Sequence, residues 1–116
     1  MKRYGHLLDN WQAAKAEMWD ILTQCAREGR TITYSELSAL IQSAHLPPYS
    51  YGMSGMLTEI SQRCTDMGKT TLATLVVRKS DGRPGGGYFG GIPTDDIEAY
   101  WQAQFARVCQ EWAEQA

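Results

Sequence analysis

The stretch that most restricts what this chain can become runs from Thr70 to Gly91, TTLATLVVRKSDGRPGGGYFGG. Thr70 to Lys79 is rich in β-branched residues, and Ser80 to Gly87 holds too much Gly, Pro and Asp for either regular element. Tyr88-Phe89 then restarts an extended apolar segment. The pattern predicts a hairpin with a long basic tip. Lys79 and Arg83 are placed to reach phosphates from such a tip, and Gly85-Gly86-Gly87 would let its backbone approach a groove closely. A solvated loop with incidental charge is the plainer reading of the same residues.

Upstream, Leu7, Leu8, Trp11, Ala14, Met18, Leu22 and Cys25 recur at three- and four-residue steps. They predict an amphipathic helix from Asp9 or Asn10, both good N-cap types, to about Glu28, ended by Gly29. Thr31-Ile32-Thr33 reads as a brief strand. Thr33 and Glu36 then have the spacing of a capping box, opening a second helix over roughly Ser35 to Ser43 with Leu37, Leu40, Ile41 and Ala44 on its buried face. Pro47 and Pro48 make His45 to Gly52 a turn, in which Tyr49 and Tyr51 either pack over the core or form a surface.

A third helix is predicted from about Met53 to Met67, with Met53, Met56, Leu57, Ile60, Cys64 and Met67 on one face and Gly68 at its end. The other face carries Ser54, Thr58, Ser61, Gln62 and Thr65, flanked by Arg63: small, polar and nearly uncharged. Beyond the hairpin, Thr94 is the expected N-cap of a last helix with Asp95 and Asp96 at its positive end. Ile97, Trp101, Phe105, Val108 and Trp112 form its stripe. That stripe needs a cover, either the first helix or, given Tyr100 and Trp112, a second copy of the chain.

Helix, short strand, two helices and a hairpin, in that order, predict an α+β winged helix-turn-helix, a single domain over residues 1–116 with an additional C-terminal helix. The length suits one core. Net charge is −2, which argues against indiscriminate coating of nucleic acid, but its distribution is uneven. Between Ile60 and Gly90 the cations Arg63, Lys69, Arg78, Lys79 and Arg83 face only Asp66 and Asp81, whereas after Gly91 five carboxylates face Arg107 alone. Cys25, Cys64 and Cys109 are widely spaced on helical stripes, so neither a disulfide framework nor a metal site is expected. With no signal-peptide pattern and no membrane-length apolar run, the expectation is a cytoplasmic protein without a membrane partner.

The segments ITYSELSALI, MSGMLTEI and VVRKSDGRPGGGYFGG resemble the C-terminal winged-helix domain of O6-alkylguanine-DNA alkyltransferases and the alkyltransferase-like proteins. The resemblance covers about two-thirds of the chain. It implies DNA binding and, through the matching Thr33-Tyr34 pair, a contact of Tyr34 with a backbone phosphate in the minor groove. The family's Pro-Cys-His-Arg motif falls on Leu72-Ala73-Thr74-Leu75, which has no thiol, imidazole or guanidinium, and its intercalating arginine has no counterpart near Met53 to Met56. The resemblance thus carries a fold and a groove-facing surface without the transfer chemistry.

No catalytic or cofactor pattern emerges elsewhere. His6 and His45 lack neighbours at metal-ligand spacing, and Lys69-Thr70-Thr71 precedes a strand where a phosphate loop requires a helix. The leading expectation is a non-enzymatic regulator or accessory factor that binds double-stranded DNA. Tyr34, Ser54, Thr58, Ser61, Gln62, Arg63, Lys69, Arg78, Lys79 and Arg83 would make the contacts. The rival is a protein-binding winged-helix adaptor or inhibitor, motivated by the aromatic surplus in Tyr49, Tyr51, Tyr88, Phe89, Tyr100 and Trp112.

Overall fold

The computed structural model describes residues 2–3, 5–84 and 96–113, and within them the chain forms an α+β fold that is mostly helical. Strands β1 (Lys2–Arg3) and β2 (His6–Leu7) pair antiparallel through a turn in which Gly5 has φ 85°. His6 is therefore held in a ladder, its ring 6.2 Å from that of Trp11, and is not part of a frayed end. Helix α1 (Leu8–Glu28) begins earlier than its cap candidates suggest. Leu7 occupies the cap position without a side-chain bond, because pairing with Lys2 already fixes its backbone, and Asp9 lies in the first turn. Gly29 closes α1 in the left-handed region at φ 69°, where a side chain would be strained.

Strand β3 (Ile32–Thr33) leads directly into α2 (Tyr34–Leu40) through the expected capping box: the Glu36 amide donates to Thr33 Oγ1 at 3.1 Å and the Thr33 amide donates to Glu36 Oε1 at 3.0 Å. The helix is shorter than its pattern, and Leu40 is 52% exposed, not on the buried face. Ile41 and Ala44 are buried from the following loop instead. That loop is tied to α1 by Glu17, whose carboxylate accepts from the Gln42 amide at 2.8 Å, the Ser43 amide at 3.2 Å and the Ser43 hydroxyl.

The Ser43 hydroxyl bond, followed by the two amides, holds the Glu17 carboxyl below the usual carboxylate range. A depressed folded-state pKa means that this tie is present above the ordinary carboxylate range and is lost as pH falls through the folded value. The amide shifts of Gln42 and Ser43 are accordingly expected to titrate together with a midpoint below that of a free Glu, and Glu17→Gln should abolish the titration. An NMR pH series checks this.

Helix α3 (Tyr51–Asp66) starts two residues before its predicted boundary, with Ser50 as N-cap accepting from the Met53 amide at 3.1 Å. Met53, Met56, Leu57, Ile60 and Cys64 are buried as expected, whereas Met67 at the C-cap is 47% exposed. Gly68 follows with φ 71°.

The largest departure lies in Thr70 to Lys79. In place of a long hairpin strand, Leu72–Leu75 form a 3₁₀ turn and only Val76–Val77, β4, are extended. Thr71 caps the turn by accepting from the Ala73 amide at 3.1 Å, and Leu72, Thr74 and Leu75 are fully buried. An apolar run meeting α1, α3 and the last helix gains more by coiling its side chains into that junction than by alternating across a sheet. β4 pairs parallel with β3, Ile32 opposite Val76 and Thr33 opposite Val77. Beyond it the backbone turns sharply, the Arg78 amide donating to the Arg83 carbonyl at 2.7 Å. Gly85-Gly86-Gly87 and Tyr88-Phe89, the rest of the expected wing, lie outside the described residues, as do Thr94 and Asp95.

Helix α4 (Ile97–Ala113) is opened by Asp96, whose side chain accepts from the Ala99 amide at 3.0 Å. Trp101, Val108 and Trp112 are buried, Phe105 is half-buried and Ile97 is 42% exposed. The cover is α1, which packs along α4. No helix among the described residues is long and apolar enough to cross a membrane.

Candidate nucleic-acid interface

Parallel pairing of β3 and β4 sends both strands out at the same end, so the start of α2 and the 78–83 turn are neighbours. Tyr34, first residue of α2, is half-buried against the core and packs on Tyr49, ring centroids 4.8 Å apart. Tyr49 has φ 64°, a left-handed conformation that costs a bulky residue free energy, and its ring is 62% exposed. Two residues on, Tyr51 opens α3 and is 87% exposed. Both tyrosines of the α2–α3 connection thus form surface, joined to the α2 start by the Tyr34–Tyr49 stack. Lys79 lies close enough to Glu36 to lower its carboxyl, although the Thr33 amide and hydroxyl bonds are the larger causes.

Replacing Tyr49 by glycine tests the platform. Relief of the backbone strain, about 1 kcal/mol, and loss of the ring pair, about 0.5–1.5 kcal/mol, oppose each other, so the urea midpoint should barely move. Any ligand gripped by this surface should bind more weakly.

Down the exposed side of α3, Ser54, Thr58, Gln62 and Thr65 face solvent. The Thr58 and Thr65 hydroxyls donate to the Ser54 and Ser61 carbonyls one turn back, and the Gln62 amide donates to Asp66. Ser61 does not belong to this face in the same way: its hydroxyl is 2.5 Å from that of Thr71, joining α3 to the 3₁₀ turn.

The cations expected to grip phosphates are distributed differently from that expectation. The Arg63 guanidinium lies 4.0 Å from the Trp19 ring centroid and Lys69 Nζ lies 4.9 Å from that of Trp112. Arg78 pairs with Asp81, and Arg83 pairs with Glu98 while lying 5.0 Å from the Trp101 ring. Of these five, Lys79 alone has neither an ion pair nor a ring contact among the described residues. The structure therefore brings Tyr34, Ser54 and Lys79 onto accessible surface around the α2–α3 corner, with Thr58 and Gln62 following along the exposed side of α3. It places Arg63 and Lys69 toward the far end of α3, and ties Arg78 and Arg83 into the turn and α4.

Sequence reasoning missed Trp19 and Trp112 as partners of these cations, and Arg27 as a further cation over Trp112. Trp19 lies one position past the Met18 stripe residue, and a tryptophan at a stripe's edge was the available signal. The cysteines read as core: burial pushes the Cys25, Cys64 and Cys109 thiols up, opposite to the shift a nucleophile needs. Among the described residues no group of His, Cys, Asp and Glu is arranged to hold a metal ion. Leu72, Thr74 and Leu75 lie in the core, with the Thr74 carbonyl accepting from Trp101 Nε1 at 2.9 Å.

Comparison with protein-family models, curated proteins and solved structures finds no match to the chain.

Proposed function

We propose that this chain is a non-catalytic winged helix-turn-helix protein that binds double-stranded DNA through the N-terminal half of α3, with Tyr34 and Lys79 at its side. The observation that carries the reading is the exposed face of α3. In its N-terminal half Ser54 and Thr58 present neutral donors and acceptors, and Gln62 follows on the same side, with the exposed carboxylate of that row, Asp66, only at the helix end. Tyr51 projects from the positive end of the same helix, where backbone phosphates are favoured. Element order and the strand-to-turn step after β4 suit the winged fold, with the 78–83 turn as the near arm of the wing.

Fluorescence anisotropy on duplex DNA at two salt concentrations tests this. Affinity should fall with salt, and Lys79→Ala should reduce the slope of log K against log salt by about 0.9, the loss of one phosphate contact. Tyr51→Ala should weaken binding about ten- to hundredfold, the loss of a hydroxyl hydrogen bond to a charged phosphate worth ~1.5–3 kcal/mol. Absence of binding at low salt would sink the proposal.

A protein-binding adaptor is the second reading, favoured by the exposure of Tyr49 and Tyr51 and by how many cations are engaged within the chain. It gains support if a stoichiometric protein partner resists nuclease, is lost in Tyr51→Ala, and duplex DNA does not bind.

A further inference from the structure

At the opposite end of α3 from Tyr51, two tryptophans and three cations form one cluster. Trp19 of α1 and Trp112 of α4 stand edge to face, ring centroids 5.6 Å apart at 80°. Arg63, in the last turn of α3, covers Trp19; Lys69 at 4.9 Å and Arg27, in the last turn of α1, at 5.9 Å flank Trp112. None of the three cations has a hydrogen bond or ion pair among the described residues. Glu111, next to Trp112 in the chain, accepts at both its oxygens from the Thr70 amide at 3.1 Å, beside Lys69. Within the same cluster Trp112, 5% exposed, has a buried Nε1–H with no acceptor among the described residues.

Ring contacts and helix ends explain part of this arrangement. A cation over an indole face is attracted to it, and Arg27 and Arg63 complement the negative ends of α1 and α3. Neither effect uses the N–H groups of the guanidinia and ammonium, and neither supplies an acceptor for Trp112. Three like charges around two touching rings also repel one another, an energy that the Glu111 carboxylate offsets in part and a further anion among them lowers again. A guanidinium held over a ring, as Arg63 is at 4.0 Å, keeps its N–H donors for a tetrahedral oxyanion, and its conformational freedom is already reduced.

We infer that the Trp19–Trp112 cluster is a phosphate-binding site formed by Arg27, Arg63 and Lys69. Its ligand is either a free phosphate group or a phosphodiester of nucleic acid. Twelve residues of α3 separate Tyr51 from Arg63, about 18 Å along the axis, so a duplex on the α3 face is long enough to reach both ends. The site does not depend on that face: it stands on its own cations.

The test is a ¹⁵N NMR titration of the tryptophan indole signals at fixed ionic strength, with inorganic phosphate in one arm, a short duplex in a second and chloride as reference. The Trp112 Nε1–H signal is expected to move saturably with phosphate, duplex or both, and not with chloride. Response to the duplex alone assigns the backbone as ligand, and response to phosphate assigns a free group. Arg63→Met with Lys69→Met keeps the apolar stems over the rings and should weaken the response about tenfold or more. Arg27→Met, at an exposed position, is the second variant, with circular dichroism reporting the fold. Tyr51→Ala should leave the phosphate response intact even where it removes duplex binding, so this site and the α3 face fail separately. No saturable movement in either arm, an equal response to chloride, or a response unchanged in both Met variants overturns the inference.

Discussion

Replacing Trp11 with alanine is expected to destabilise the fold by about 3–5 kcal/mol, the usual cost of emptying a large buried aromatic site. Trp11 is fully buried on α1, and its Nε1–H donates to Glu59 Oε2 of α3 at 2.9 Å, while Lys15 Nζ meets Glu59 Oε1 at 3.2 Å. It therefore combines the apolar contact between the first and third helices with the polar tie that sets their register. Trp11→Phe separates the two parts. Most of the buried surface remains and the indole bond is lost, so the expected cost is about 1–2 kcal/mol. Urea unfolding followed by circular dichroism measures both, with a lowered midpoint and an unchanged slope as the signature of a stability effect.

Trp101→Ala should have a comparable effect, again about 3–5 kcal/mol, for a different reason. This residue is 8% exposed, its indole N–H donates to the Thr74 carbonyl inside the 3₁₀ turn, its ring lies 5.7 Å from Phe105, and Arg83 lies over it. It is the side chain that connects α4 to the segment between α3 and β4. Its removal should loosen Leu72–Leu75 and the 78–83 turn together, seen as faster amide exchange there. Arg83→Met, by contrast, removes an exposed ion pair with Glu98 and should leave the unfolding midpoint nearly unchanged, since such pairs are screened by solvent. If the two variants destabilised equally, the ion pair and not the indole would be the connection.

How much of this was readable in advance follows from the range of the forces involved. The end of α1 at Gly29 and the Thr33–Glu36 capping box involve residues a few positions apart, and both were legible. The core faces of α1 and α3 were legible too, because burial of a helix follows its period. Leu40 and Met67 satisfied the same period and are exposed, since each lies where its helix is ending and the chain is leaving the core. Thr70 to Lys79 was misread as a continuous strand: its β-branched residues fit a strand locally, but the junction of α1, α3 and α4 takes Leu72 and Leu75 into the core.

The candidate site shows the same division. The polar face of α3 could be listed from the sequence, and Ser54, Thr58 and Gln62 lie on it. Which cations pack on rings or pair with carboxylates could not be listed, because Arg63, Lys69 and Arg83 find their partners in Trp19, Trp112, Trp101 and Glu98, all distant in the chain. The resemblance to alkyltransferase-like domains directed attention to Tyr34, whereas the most exposed aromatic at that corner is Tyr51.

The most direct test of DNA binding through the α3 corner is a map of backbone amide shifts in ¹⁵N-labelled protein on addition of a short duplex at low salt. The predicted result is saturable perturbation centred on Tyr34, Tyr51, Ser54, Thr58, Gln62 and Lys79, lost in Tyr51→Ala. A map in which none of these amides moves would contradict it.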